Sequence, residues 1–307
     1  MTIIDFSKPP KPDTYYQMFT KPTLPDFFSR QVSGARRFYL NLQPPRSVRP
    51  VVVSGGCEHC EPGYEIKRRG FRYLSIEYVA AGRGSLTLKG RPYLLTAGTV
   101  FAYGPRIAQE IQTDPDNPLL KYFVDFVGDD ARELLTVAHL DPGSVMQTST
   151  PAQVSAIFEN LIRNGQNDSP LSARLCAVIL EELLLKLAET AVSPRSAGTP
   201  AFQTYRRCRL YIEEHFMELG SLKDIASRCH IDRAYLCRLF RRFDHQRPYQ
   251  LLTRLRMTRA AELLQQPGAM VKQVAAEMDC CDPYHFSRVF KRVHGIPPRE
   301  FVRLRDD

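Results

Sequence analysis

Near the end of this 307-residue chain, LKDIASRCHI-DRAYLCRLFRRF (222–243) and VKQVAAEMDCCDPYHFSRVFKRV (271–293) repeat one pattern, with a single extra residue in the turn of the second copy. Ala226 falls on Ala275, Leu236 on Phe286, Arg238 on Arg288, Phe240 on Phe290 and Pro248 on Pro298. The spacing predicts two short helices per copy joined by a tight turn. Alanine stands where the first helix must approach the second closely, because bulk there would separate them. Leu236, Leu239 and Phe240, and in the second copy Phe286, Val289 and Phe290, form the face that packs against the first helix.

The opposite face of each second helix is left for a partner. It carries Arg233, Ala234, Cys237, Arg238 and Arg241 in the first copy, and Pro283, Tyr284, Ser287, Arg288 and Lys291 in the second. A central arginine on such a face can pair bidentately with O6 and N7 of guanine, or clamp a phosphate if the helix sits less deeply. Arg238 and Arg288 are the leading base readers. Small neighbours such as Ala234 and Ser287 let the helix enter the groove.

Charge points to the same partner. Residues 201–307 hold 20 Lys and Arg against 13 Asp and Glu, a net +7 that leaves only +2 of the chain's +9 for the first 200 residues. A basic unit on a near-neutral one fits an anionic polymer, since neutralised phosphates release counterions. Between the copies, Tyr249 to Leu264 reads as a connecting helix. At 1.5 Å per residue it spans about 24 Å, enough to help hold two recognition helices near one ~34 Å turn of duplex DNA apart. Ser221 reads as the N-cap of the helix that begins at Leu222, with Asp224 in its first turn.

The preceding residues have a different texture. Pro9, Pro10, Pro12, Pro22 and Pro25 mark residues 1–30 as an arm without long helices. Short alternating apolar runs follow: Phe38–Leu42, Val51–Val53, Tyr73–Val79, Ser85–Leu88, Val100–Tyr103 and Tyr122–Val127. Turn signals separate them at Gly55-Gly56, Gly82 to Gly84, Lys89-Gly90 and Ala97-Gly98. Many short strands at this spacing predict a small barrel or sandwich over 31–150. Val154, Ile157, Phe158 and Leu161, then Leu171, Leu175, Val178, Ile179, Glu182, Leu183 and Leu185, predict two helices over 151–189. Their stripes serve either to cover the barrel or as a two-helix dimer seam. TAVSPRSAGTP, within 190–202, reads as a linker to the unit at 203–307.

The run DPYHFSRVFKRVHGIPPREF, with IDRAYLCRLFRRF and RMTRAAELL upstream, resembles the DNA-binding domain of the AraC/XylS family from Tyr205 to Arg303. The resemblance implies that Arg233, Ala234, Cys237 and Arg238 face bases in the first unit, and Tyr284, Ser287 and Arg288 in the second. Two places depart from the pattern. His245 replaces a turn glycine, and Asp279-Cys280 replaces Gly-Phe. GRGSLTLKGRPYLLTAGTVFAYGP, within Tyr64–Gly128, resembles the cupin-like effector-binding domain that precedes this module in many family members. The expected fold is therefore α+β in two domains: a cupin-like β-barrel with trailing helices, then an all-α domain with two helix-turn-helix units.

Arg68, Glu77, Tyr103 and Gln109 are the candidate ligand contacts, polar or aromatic side chains close to the barrel strands. Metal-dependent cupins use several histidines and a carboxylate, whereas only His59 precedes His139 here. With neither a phosphate loop nor a nucleophile triad, the chain reads as no enzyme and implies no cofactor. Cys57-Glu58-His59-Cys60, expected on a turn, leaves a metal- or redox-responsive regulator as one alternative, and a constitutive DNA binder as another. The reading is a homodimeric cytoplasmic regulator of transcription. Its partners are double-stranded DNA, a small-molecule effector and RNA polymerase, and no membrane.

Overall fold

The structure is a computed structural model that describes residues 29–44, 47–244, 246–280 and 282–306. Most of the expected arm, with its first five prolines, and His245 lie outside the described residues. The front domain is built from β1 (Val32–Tyr39), β2 (Val51–Cys60), β3 (Glu65–Arg68), β4 (Leu74–Ala81), β5 (Arg83–Leu88), β6 (Arg91–Thr96), β7 (Thr99–Tyr103), β8 (Gln109–Thr113) and β9 (Leu120–Val127). Next come α1 (Asp129–Val137), β10 (Val145–Thr148), α2 (Pro151–Gly165), α3 (Ser172–Thr190) and β11 (Ala191–Val192).

These strands make two antiparallel sheets rather than one closed barrel. The larger runs β1-β2-β9-β4-β7-β10-β11 and the smaller β3-β8-β5-β6. Alternation of side chains sorts the large sheet into two faces. Leu74, Ile76 and Tyr78 of β4, with Tyr122, Val124 and Phe126 of β9, pack under α1, α2 and α3. Val79, Phe101 and Tyr103 instead meet Leu86, Leu88 and Ile111 of the small sheet. Both faces are buried, so β4 and β9 read as nearly continuous apolar runs.

Gly55 and Gly56 were expected in a turn and lie in the middle of β2, which extends through both to Cys60. Their role is close approach. A Cβ on Gly55 would sit 2.8 Å from the Phe38 ring, and one on Gly56 would sit 2.5 Å from the Arg36 carbonyl oxygen. Strand patterning cannot separate this use of glycine from a turn. The Lys89-Gly90 turn does appear, with φ of +51° and +73° between the paired residues Leu88 and Arg91.

The expected linker is ordered in part, holding β11 and one helical turn, α4 (Pro194–Ala197). The rest of the chain is helical: α5 (Pro200–His215), α6 (Leu222–Arg228), α7 (Arg233–Phe243), α8 (Pro248–Leu264), α9 (Val271–Glu277), α10 (Pro283–His294) and α11 (Pro298–Asp306). Two apolar cores divide this region. One joins α5, α6 and α7 around Tyr205, Ile225, Leu236 and Phe240. The other joins the end of α8 to α9 and α10 around Leu264, Ala275, Phe286 and Phe290. Each fully buried Phe or Leu contributes about 1.5–3 kcal/mol.

Candidate nucleic-acid interface

Each helix-turn-helix unit is set by local chemistry. Ser221 caps α6, accepting from the Asp224 amide at 3.2 Å and donating to the Asp224 carboxylate at 2.8 Å. Asp232 caps α7 by accepting from the Tyr235 amide at 2.8 Å, and Asp282 caps α10 by accepting from the Tyr284 amide at 2.9 Å. The turns pass through His230 and Asp279, at φ +55° and +50°. Both are types that tolerate the left-handed region better than most residues, which is how the second unit does without a glycine there. Ala226 and Ala275 are buried at the crossings with α7 and α10.

That packing leaves one face of α7 and one of α10 in solvent. Arg233, Ala234 and Arg238 are exposed on α7, with Cys237 half-buried beside them. Tyr284, 83% exposed, and Arg288 stand out on α10, with Ser287 half-buried between them. All seven residues expected at the interface therefore lie on the uncovered faces of the two helices. The Arg238 guanidinium lies over the Tyr235 ring at 5.5 Å, which limits its rotamers. The Ser287 hydroxyl donates to the Pro283 carbonyl at 2.9 Å, so its oxygen is turned to accept from a ligand.

The helix α8 ties the units together through its middle turn. Arg256 donates to carbonyls of Leu219 and Met278, and the His294 ring meets the Met257 carbonyl at 2.9 Å. Arg209 and Tyr205 of α5 both bond the Asp244 carboxylate that follows α7, the phenol at 2.8 Å. None of these tethers was read from the sequence, since each joins residues that are far apart in the chain.

Between the two sheets lies a small charged cavity of about 20 Å³. Lys121 of β9 is buried there, 2.8 Å from Glu58 and 3.0 Å from Glu77. Tyr103 donates to Glu77 at 2.6 Å, and Arg37 donates to Glu58 at 2.8 Å. Burial alone pushes Glu58 up, but Lys121 and Arg37 more than offset it and hold the carboxyl below its ordinary range. Burial also acts to neutralise Lys121, and the two glutamates overcome it, raising the ammonium well above its ordinary range. Among the described residues the hydrogen-bond partners of Asp125 are hydroxyls, Ser54 at 2.7 Å and Ser75 at 2.8 Å. Burial therefore pushes its carboxyl up to about 7.

Of the four expected ligand contacts, Arg68, Glu77 and Tyr103 line this cavity. Gln109 pairs with Arg68 across β3 and β8, is only 2% exposed, and among the described residues finds no hydrogen-bond partner for either side-chain atom. Glu58, Lys121 and Asp125 were missed. The signal was present in LKYFVDFV, where positions 121, 123 and 125 share a face and two of them are charged within an apolar strand.

Cys57 and Cys60 lie within β2 rather than on a turn. Three residues apart in a strand, they point to opposite faces: Cys57 into the core beneath the helices, Cys60 between the sheets. Burial raises both thiols, Cys60 to about 12. His59 is exposed between them. The geometry brings these three residues to no common point, and no cluster of metal-ligating side chains occurs among the described residues. Nor is any helix among those residues long and apolar enough to cross a membrane.

Comparison with known proteins identifies the family of each half of the chain. Residues 53–184 match the family model for an AraC-like ligand binding domain, and residues 225–304 match one for a helix-turn-helix domain. The chain is 30% identical over 277 residues to YisR of Bacillus subtilis, an uncharacterized HTH-type transcriptional regulator, covering 83% of this chain and 94% of that one. It is 25% identical over 256 residues to the raffinose operon transcriptional regulatory protein RafR of Pediococcus pentosaceus, covering 80% and 91%. The Msm operon regulatory protein of Streptococcus mutans matches at 22% over 257 residues, covering 80% and 90%. With a ligand-binding sandwich in front and two exposed recognition helices behind, this chain belongs to the AraC family of DNA-binding transcription regulators.

Proposed function

We propose that this regulator reads duplex DNA through Arg233, Ala234, Cys237 and Arg238 of α7 and through Tyr284, Ser287 and Arg288 of α10. The observation that carries the reading is the duplicated exposed face, with an arginine at the same place in both copies. Arg238 and Arg288 supply the forked donors that suit guanine, and the other positions set depth and neighbouring contacts. Footprinting followed by affinity measurement on single-base variants of the bound site tests this. Protection of two adjacent major-groove segments supports it, and uniform affinity for unrelated duplexes overturns it.

The effector in this reading is polar and is held by Arg68, Glu77, Tyr103 and Gln109. Gln109 supports it, because a buried amide without partners is costly unless something arrives to satisfy it. A cavity of about 20 Å³ is too small for more than a water, so binding must first open the Lys121–Glu77 contact. A hydroxyl-rich ligand suits these donors and acceptors, and the relative named for a raffinose operon makes sugars the first panel to test.

The working form is a homodimer. Leu171, Leu175, Val178 and Leu185 are exposed along one side of α3 at spacings of four, three and seven residues, the period of a two-helix seam, with Glu182 between the last two. A dimer presents four recognition helices to one operator and works in the cytoplasm, where it contacts RNA polymerase when that operator adjoins a promoter. Sedimentation and transcription from a reconstituted promoter test these two parts separately.

A further inference from the structure

We propose that the cleft between the first turn of α2 and the helix α5 binds a small oxyanion, a phosphate or a carboxylate, that couples the ligand-binding domain to the DNA-binding domain. The cleft encloses about 480 Å³, with Thr150, Pro151 and Ala152 on one wall and Arg206, Arg207 and Arg209 on the other. It is separate from the cavity between the sheets and does not depend on the effector residues assigned there.

Three observations converge on an anion. First, α2 is 15 residues long and opens toward the cleft. Pro151 has no N–H, so the Ala152 amide is the first free donor at an end that carries partial positive charge. Second, Thr150 occupies the N-cap position but caps nothing, and its hydroxyl is buried, 8% of the residue being exposed, without a partner among the described residues. A threonine placed there ordinarily accepts from the first turn, so this buried hydroxyl is unspent in a residue that lines the cleft. Third, Arg206 is half-buried and, among the described residues, makes neither a hydrogen bond nor an ion pair.

The neighbouring charges do not fill the need. Arg209 is already committed to Asp244 and to Glu213, which also lines the cleft and is thereby neutralised. Arg207 gives one nitrogen to the Cys229 carbonyl at 3.2 Å and keeps its other donors. A helix N-terminus facing uncompensated guanidinium groups is a repulsive arrangement that an oxyanion reverses. One oxygen takes the Thr150 hydroxyl and the Ala152 amide, and others take the fork of Arg206. Because the two walls belong to different domains, occupancy draws them together.

Thermal unfolding of the full chain tests the site, with inorganic phosphate, citrate and chloride compared at equal ionic strength. Phosphate or citrate should raise Tm in a saturable way beyond chloride, and whichever does so identifies the source as phosphate or carboxylate. Arg206→Gln should weaken the apparent affinity at least tenfold, and Thr150→Val, which removes only the hydroxyl, should weaken it several-fold. The double variant R238A/R288A should respond like wild type, because those arginines lie on the DNA face. Equal shifts with all three salts would overturn the proposal, as would a response kept in Arg206→Gln and lost in R238A/R288A.

Discussion

Arg256, in the helix that joins the two repeats, donates through one guanidinium nitrogen to the carbonyl oxygen of Met278, where the first helix of the second unit ends. Its other terminal nitrogen reaches the Leu219 carbonyl at 2.9 Å, just before the cap of the first unit. One planar cation thus ties both units to α8, and satisfies a carbonyl at a helix end that has no intrahelical partner. Arg256→Met should lower stability by about 1.5–3 kcal/mol for the charged hydrogen bonds lost. Operator affinity should fall more on a two-half-site duplex than on a single half-site. An equal loss on both would show that Arg256 sets stability and not spacing.

Replacing Arg238 or Arg288 by Ala should cost about 1–3 kcal/mol at the cognate site and relax preference at one base position. Binding titrations on a set of single-base variants read this directly. If affinity instead drops equally on every sequence and the salt dependence shallows, the residue is a phosphate clamp.

Gln109 makes an unusual prediction, because its amide is buried without partners. Gln109→Leu should keep or raise the unfolding temperature, since it relieves a burial cost of about 1–3 kcal/mol. The same change should abolish the effect of an activating ligand on DNA affinity. A clear loss of stability would mean that the amide is satisfied in solution.

Asp125 should give the front domain a distinctive pH dependence. Its carboxyl is pushed up to about 7 by burial, whereas an unfolded aspartate titrates near 3.9. Between those values the folded chain holds a proton that the unfolded chain releases, so stability falls as pH rises through the window, by up to about 1.4 kcal/mol per pH unit. Below it both states are protonated and the slope vanishes. Urea unfolding of wild type and Asp125→Asn at pH 5 and 7 isolates the effect, and parallel profiles would refute it.

Val178→Asp and Leu175→Asp place charges on the exposed side of α3, whose buried side is held by Ile179, Leu180 and Leu183. The monomer should therefore stay folded while dimer dissociation becomes at least about tenfold easier, or 1.4 kcal/mol. Sedimentation velocity over a concentration series measures this, and an unchanged profile would move the dimer contact elsewhere.

The helix-turn-helix units were legible because their determinants are local. The cap at Ser221, alanines at the crossings and apolar residues at helical spacing all act within a few residues, and duplication states the pattern twice. The front domain was legible only as a set of strands. Gly55 and Gly56 looked like a turn because the chain alone does not record that Phe38 and Arg36 pass over them. Likewise Cys57 and Cys60 looked like a pair until the strand that contains both sent them to opposite faces. The order of residues by itself determined that two recognition helices form and which side chains they expose. Only the tertiary structure decided that Lys121 sits between Glu58 and Glu77, that Arg256 spans both units, and that Thr150 faces Arg206 across a cleft. Those contacts close long loops, and sequence spacing carries no record of which distant strands and helices will meet.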